Sequence, residues 1–162
     1  VSEQPLDSEL GQFTLVSYRE STGGNIHMAL TLGDISPEVP TLVRVHNMDP
    51  LRDLFMVKRP GFWSLRGAMA EVAKAGSGVV LLLANQMTGP TLLEHLDRQL
   101  GSGKTSNQQG TYSTVGAGSQ ILRDLGVRKM RLLSKPMRFN AISGFDLEVV
   151  EYLQPQDEEA EA

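Results

Sequence analysis

Two alternating stretches joined by a turn constrain this chain more than any other feature. Gly11 to Arg19 and Ile26 to Leu32 both alternate apolar with polar residues and are rich in β-formers, and Ser21-Thr-Gly-Gly-Asn25 between them supplies turn residues. The spacing predicts a pair of antiparallel strands, and Thr41 to His46 predicts a third after the loop Ile35 to Pro40. Pro50 and Pro60 bracket an irregular stretch. Ser64 to Ala75 then sets Leu65, Met69 and Val72 on one helical stripe, with Ser64 as N-cap and Gly76 as the stop. Val79 to Leu83 is short, apolar and preceded by Gly78, which predicts a buried strand. Leu92 to Leu100 and Ser119 to Leu125 read as helices ended by glycine, and Met130 to Leu133 and Leu147 to Tyr152 read as strands. An antiparallel first half followed by helix and strand alternation predicts the α+β class, a mixed sheet with packed helices. The expected boundaries are a polar linker over 1–10, one domain over 11–153 and an acidic disordered tail over 154–162.

Composition narrows the function classes. A chain of 162 residues with 40% hydrophobic content suits one buried core. A net charge of −4 with scattered Lys and Arg argues against a nucleic-acid partner. No apolar run approaches the roughly 20 residues that span a bilayer, so no membrane partner is expected. The chain contains no cysteine, which excludes disulfides and thiolate metal sites. Leu100-Gly-Ser-Gly-Lys-Thr105 imitates the end of a phosphate-binding loop, but Arg98 stands where that motif needs its first glycine, and a helix precedes it. The start at Val1, with no initiator Met, is read as a piece of a longer protein.

Two stretches carry a family signature: Thr41-Leu-Val-Arg-Val-His46 and Gly116-Ala-Gly-Ser-Gln-Ile-Leu-Arg-Asp-Leu-Gly-Val-Arg-Lys-Met-Arg-Leu-Leu-Ser134. Both resemble the GTP cyclohydrolase II family of riboflavin biosynthesis, over roughly Gly11 to Tyr152. The resemblance implies a zinc ion held by three cysteines, which fall here at Asp49, Arg59 and Gly61. An arginine cannot ligate as a base and glycine has no ligand atom, so no metal site and no cofactor are expected. His46 with Asp49 offers only two ligands, short of the three or four that zinc needs, and ordinary turn chemistry accounts for Asp49 before Pro50. The family's Glu-Gly-Arg segment corresponds to Ala84 to Thr91, which has neither carboxylate nor arginine. Its catalytic Asp and Arg fall at Thr111 and Ser113, which lack a base and a charge. Arg44, His46 and Lys135 stand where the family contacts nucleotide, and their alternative is plain surface or structural duty.

The resemblance therefore implies a cyclohydrolase-like domain without its zinc and catalytic groups, serving as a structural or regulatory part of a fused 3,4-dihydroxy-2-butanone 4-phosphate synthase. The implied partners are a covalently linked N-terminal synthase domain, weakly bound GTP or another nucleotide, and a second copy in a homodimer, all in the cytoplasm. A nucleotide sensor and a divergent active cyclohydrolase are the alternatives. Phe55, Met56, Phe62 and Trp63 form either a contact surface or a piece of core.

Overall fold

The computed structural model describes residues 2–21, 23–47, 50–57, 62–84, 89–100, 111–134 and 147–155. Its strands are β1 (Ser2–Ser8), β2 (Gly11–Arg19), β3 (Ile26–Leu32), β4 (Thr41–Asn47), β5 (Gly78–Leu83), β6 (Lys129–Leu133) and β7 (Glu148–Leu153). The helices are α1 (Pro50–Asp53), α2 (Leu65–Ala75), α3 (Gly89–Leu100) and α4 (Thr111–Asp124). All seven strands form one sheet in the order β1-β2-β3-β5-β4-β6-β7. The pairs β1/β2, β2/β3 and β3/β5 are antiparallel, whereas β5/β4, β4/β6 and β6/β7 are parallel. The mixed α+β architecture expected from the pattern of elements is the one found.

The pattern of side chains explains why both faces of the central strands are covered. On β5, Val79, Leu81 and Leu83 join a cluster with Ile121 and Leu122 of α4, while Val80 joins a second cluster with Ala68 and Val72 of α2. A strand with period 2 sends alternate residues to opposite faces, so an uninterrupted apolar run is what a strand sandwiched between two helices requires. The same alternation on β4 places Val43 against the α4 side and Leu42 on the α2 side. It therefore carries Arg44 and His46, two and four residues on from Leu42, to the α2 face as well.

The start and end of α2 follow the sequence closely. Ser64 Oγ accepts the Gly67 N–H at 2.9 Å, and Gly76 closes the helix in the left-handed region at φ 84° with its N–H bonded to the Val72 carbonyl. Two segments depart from expectation. The polar stretch taken as a linker over 1–10 contains β1, paired residue for residue with β2 from Ser2 opposite Ser17 to Ser8 opposite Gly11. It is an exposed edge strand with a proline, so it needs no apolar face and leaves little periodicity to detect. Helix α4 begins at Thr111 rather than at Ser119. The glycines at 116 and 118 lower the intrinsic helix propensity of these turns and so mask them in the sequence, although a Cβ on Gly118 would make only ordinary van der Waals contact with Leu81 and Leu83 at 3.6–3.8 Å.

Candidate functional site

Parallel strands β4, β5 and β6 end on the same rim, the end at which open sheets of this kind commonly hold ligands. Arg44 and His46 of β4, Asp53 at the end of α1, and Trp63 just ahead of α2 meet there in one polar network. Arg44 Nε–H donates to His46 Nδ1 at 3.1 Å. A guanidinium has donors only, so Nδ1 must be the unprotonated nitrogen and the ring hydrogen is assigned to Nε2. That hydrogen points at Asp53 Oδ2, 2.8 Å away. The other carboxylate oxygen, Oδ1, accepts the N–H of Leu65 at 2.9 Å. Leu65 opens α2, so Asp53 satisfies one of the amides that a helix leaves unpaired in its first turn and places negative charge at the positive end of the helix.

The network extends across the sheet. Arg44 Nη1 donates to the Leu133 carbonyl at the end of β6 at 2.9 Å, and Nη2 reaches the Trp63 carbonyl at 3.4 Å. Trp63 Nε1–H donates to the Leu153 carbonyl of β7 at 2.8 Å, and the Ser134 N–H donates to that same oxygen at 3.0 Å. The His46 side chain is 0% exposed and that of Asp53 is 2% exposed. A half-buried guanidinium, a buried neutral imidazole and a buried carboxylate thus form a chain in which opposite charges flank a ring that donates to one and accepts from the other.

This arrangement does not fit a zinc site. Both nitrogens of His46 and both oxygens of Asp53 are engaged inside the protein, and no group of three or more His, Cys, Asp or Glu side chains converges among the described residues. General base chemistry is equally remote at His46, whose lone pair is directed at Arg44 and whose ring is out of contact with solvent. Asp49, Arg59, Gly61 and Lys135 lie outside the described residues. Thr111 and Ser113 fall in the first turn of α4, where the side chains are not among those described. Arg44 and His46 are therefore the two expected nucleotide contacts that can be placed, the first half-buried and the second buried, both hydrogen-bonded to protein groups.

Asp53 was not foreseen from the sequence. The available signal is that a histidine on the buried face of a strand requires a polar partner, and Asp49 and Asp53 are both within reach along the chain. Trp63 belongs to the core at 7% exposure, whereas Phe55, Met56 and Phe62 are 69%, 73% and 45% exposed, so the aromatic cluster divides between the two readings open for it. His27, to which the sequence attaches no role, is 2% exposed. Its Nε2 lies 2.6 Å from Glu20 Oε1 and its Nδ1 accepts the Ala84 N–H at 2.8 Å. Hydrogen bonds from His27 and then Asn25 hold the Glu20 carboxyl below its usual range, against a smaller opposing effect of desolvation. Directly across the strand pair from His27, burial foremost and then the bond to Asp124 push the Tyr18 phenol above its usual range; Tyr18 Oη donates to Asp124 Oδ2 at 2.9 Å.

The model of the GTP cyclohydrolase II family matches residues 1–154. The chain belongs to the GTP cyclohydrolase II family. Among curated relatives, it is 68% identical over 155 residues to a 3,4-dihydroxy-2-butanone 4-phosphate synthase of Pseudomonas aeruginosa, covering 94% of this chain and 42% of the relative. It is 44% identical to the synthase of the same name from Pseudomonas syringae pv. tomato, covering 93% of this chain and 42% of the relative. Among solved structures, the crystal structure of RibBX, a two domain 3,4-dihydroxy-2-butanone 4-phosphate synthase from A. baumannii, superposes with a TM-score of 0.64 at 37% identity, over 94% of this chain and 39% of that one. The chain spans about two fifths of the length of these relatives.

These relatives correct two implications of the family resemblance. The resemblance sets the chain apart from the synthase, as a cyclohydrolase remnant acting structurally, as a regulator or as a nucleotide sensor beside a covalently linked N-terminal synthase domain. The proteins that match 94% of the chain are themselves named for the synthase, so the comparisons support a likeness to those synthases in place of a cyclohydrolase remnant, and they do not show a separate N-terminal synthase domain as its partner. No helix among the described residues is long and apolar enough to cross a membrane.

Proposed function

We propose that the protein carrying this sequence acts in riboflavin biosynthesis, in the cytoplasm, as a 3,4-dihydroxy-2-butanone 4-phosphate synthase, and that this region supplies no GTP cyclohydrolase chemistry. The 68% identity to the Pseudomonas aeruginosa synthase over 94% of the chain is the observation that carries the first part. The second part rests on the residues themselves. The chain contains no cysteine to ligate zinc, and Arg44 and His46, which stand where a cyclohydrolase would meet its nucleotide, are engaged with Asp53, Leu133 and Trp63.

What Arg44, His46 and Asp53 do instead is mechanical. They join β4 to α1, to the first amide of α2 and to the end of β6, across the segment that a cyclohydrolase organises around its metal. Burial of this charged chain gives it geometric strictness, since each member must find its partner or leave a desolvated polar group unmet.

Genetic complementation tests the proposal. The protein, expressed in a riboflavin auxotroph lacking the butanone phosphate synthase, is expected to restore growth without riboflavin. In an auxotroph lacking GTP cyclohydrolase II it is expected to restore none. Rescue of the second strain, or failure of a well-expressed protein in the first, contradicts the corresponding half.

A further inference from the structure

Sulfur in this chain is confined to seven methionines, since there is no cysteine. A peroxide that would first meet a thiolate in a cysteine-bearing protein can react at sulfur here only with a thioether. Access then decides which one, because the oxidant has to reach a lone pair on Sδ. Among the described residues, Met130 is 1% exposed and belongs to the larger buried cluster, and Met28 of β3 and Met69 of α2 are half-buried. Met56 is 73% exposed.

The backbone holds Met56 in that position. It lies in the turn that follows α1 and takes φ 57°, in the left-handed region, which no other residue except glycine adopts among those described. The turn is pinned at both ends. Leu51 is buried, the Asp53 carboxylate is held by His46 and by the Leu65 N–H, and the Val57 N–H donates to the Leu51 carbonyl at 2.9 Å. Between these anchors Leu54 and Phe55 stand outward with Met56, 63% and 69% exposed, and neither buried cluster includes any of the three.

We propose that Met56 is an oxidation site for hydrogen peroxide, and that its sulfoxide changes this turn from an apolar tip to a polar one while the fold stays intact. The Sδ lone pair attacks one peroxide oxygen, so that an S–O bond forms as the O–O bond breaks. The departing hydroxide takes the proton of the transferred hydroxyl and leaves as water. Sulfur gives up two electrons and the peroxide accepts them. A sulfoxide is polar and chiral, a change that disrupts packing where a methionine is buried and sacrifices little at so exposed a side chain. Thiol-dependent methionine sulfoxide reductases, one for each sulfoxide epimer, make the change reversible.

The whole protein, incubated with dilute hydrogen peroxide and sampled over time, tests this by peptide mass spectrometry. The gain of one oxygen at Met56 is expected to run about tenfold or more ahead of that at Met130, and ahead of that at Met28 and Met69. Once Met56 is oxidised and those three are not, the thermal unfolding midpoint is expected to stay where it was and the protein to leave a hydrophobic-interaction column earlier. The two epimer-specific reductases with thiol are expected to restore the original elution. Met56→Leu keeps the turn apolar and has no sulfur there, so its elution is expected not to move at the same peroxide dose. Oxidation at Met56 no faster than at Met130 overturns the proposal, and so does a midpoint that falls as Met56 is oxidised. An elution that stays unchanged once Met56 carries oxygen, or a Met56→Leu variant that shifts as far as wild type, overturns it as well.

Discussion

Replacing Asp53 with asparagine probes the buried chain with the smallest change of shape. Among its hydrogen bonds, Asp53 accepts from two groups that have only hydrogens to offer, the Leu65 N–H at 2.9 Å and His46 Nε2–H at 2.8 Å. An asparagine side chain has one oxygen and one amino group, so in either orientation it meets one donor and opposes the other. A buried donor left unmet costs about 1–3 kcal/mol, and loss of one charged member of a buried ionic chain costs about 3–5 kcal/mol. The two figures overlap, because part of the second is the first, and a total of about 3 kcal/mol is expected for Asp53→Asn. In a domain of this size each kcal/mol moves the midpoint by about 2–4 °C, so thermal unfolding followed by circular dichroism should show a drop of about 6–12 °C. Glu151→Gln is the control. It removes an ion pair with Arg131 whose side chains are 43% and 51% exposed, and is expected to change stability by less than about 1 kcal/mol. An Asp53→Asn variant no less stable than that control would refute the tautomer assignment and the claim that both carboxylate oxygens are engaged.

Four other outcomes are expected. Trp63→Ala should cost about 3–5 kcal/mol in urea unfolding by loss of buried ring volume, whereas Trp63→Phe should cost only about 1–2 kcal/mol, because the Leu153 carbonyl still receives the Ser134 N–H. Gly33→Ala should destabilise by more than about 1 kcal/mol: at φ 68° its Cβ would stand 2.5 Å from the Gly76 carbonyl oxygen, a backbone atom at the cap of α2 with little freedom to retreat. The carboxyl of Glu20 is depressed in the folded state, so its stabilising contribution is present above the unfolded value and lost as pH falls through the folded one. The stability gap between wild type and Glu20→Gln should therefore close on acidification, and a gap that widens would reverse the sign. The Tyr18 phenol is raised, so its contribution is present below the ordinary phenol range and lost above it, and Tyr18→Phe should approach wild-type stability only in strong alkali.

How much of this was legible in the sequence depends on which physical pattern each element left there. The helix α2 declares itself through an apolar stripe, a serine cap and a terminal glycine, all local signals, and it lies where they place it. The strand β5 is equally plain, because a run of valine and leucine bounded by glycine has few other uses in so short a length. Strand β1 is hidden, since its stability comes from backbone pairing with β2 and its side chains face water. The early start of α4 is hidden for a different reason: Gly116 and Gly118 weaken the local helical signal, while the residues the helix packs against, Leu81 and Leu83 among them, are distant in sequence. The same limit governs the site. Arg44 and His46 stand out by their resemblance to a family segment, but the hydrogen bonds they make follow from alternation on β4 and from the return of Asp53, Trp63 and Leu133 to the same rim. The missing cysteines are the part of the site that sequence alone makes plain, because the absence of a ligand type needs no geometry.

The central claim is that the rim where β4 and β6 end is fastened by protein groups and holds no zinc-dependent GTP chemistry. The most direct test is to incubate the purified protein with GTP, magnesium and zinc, and to follow GTP by chromatography, with and without a chelator. The account predicts that GTP persists in both conditions and that neither zinc nor chelator moves the melting temperature. Loss of GTP that depends on zinc and stops with chelator would contradict it.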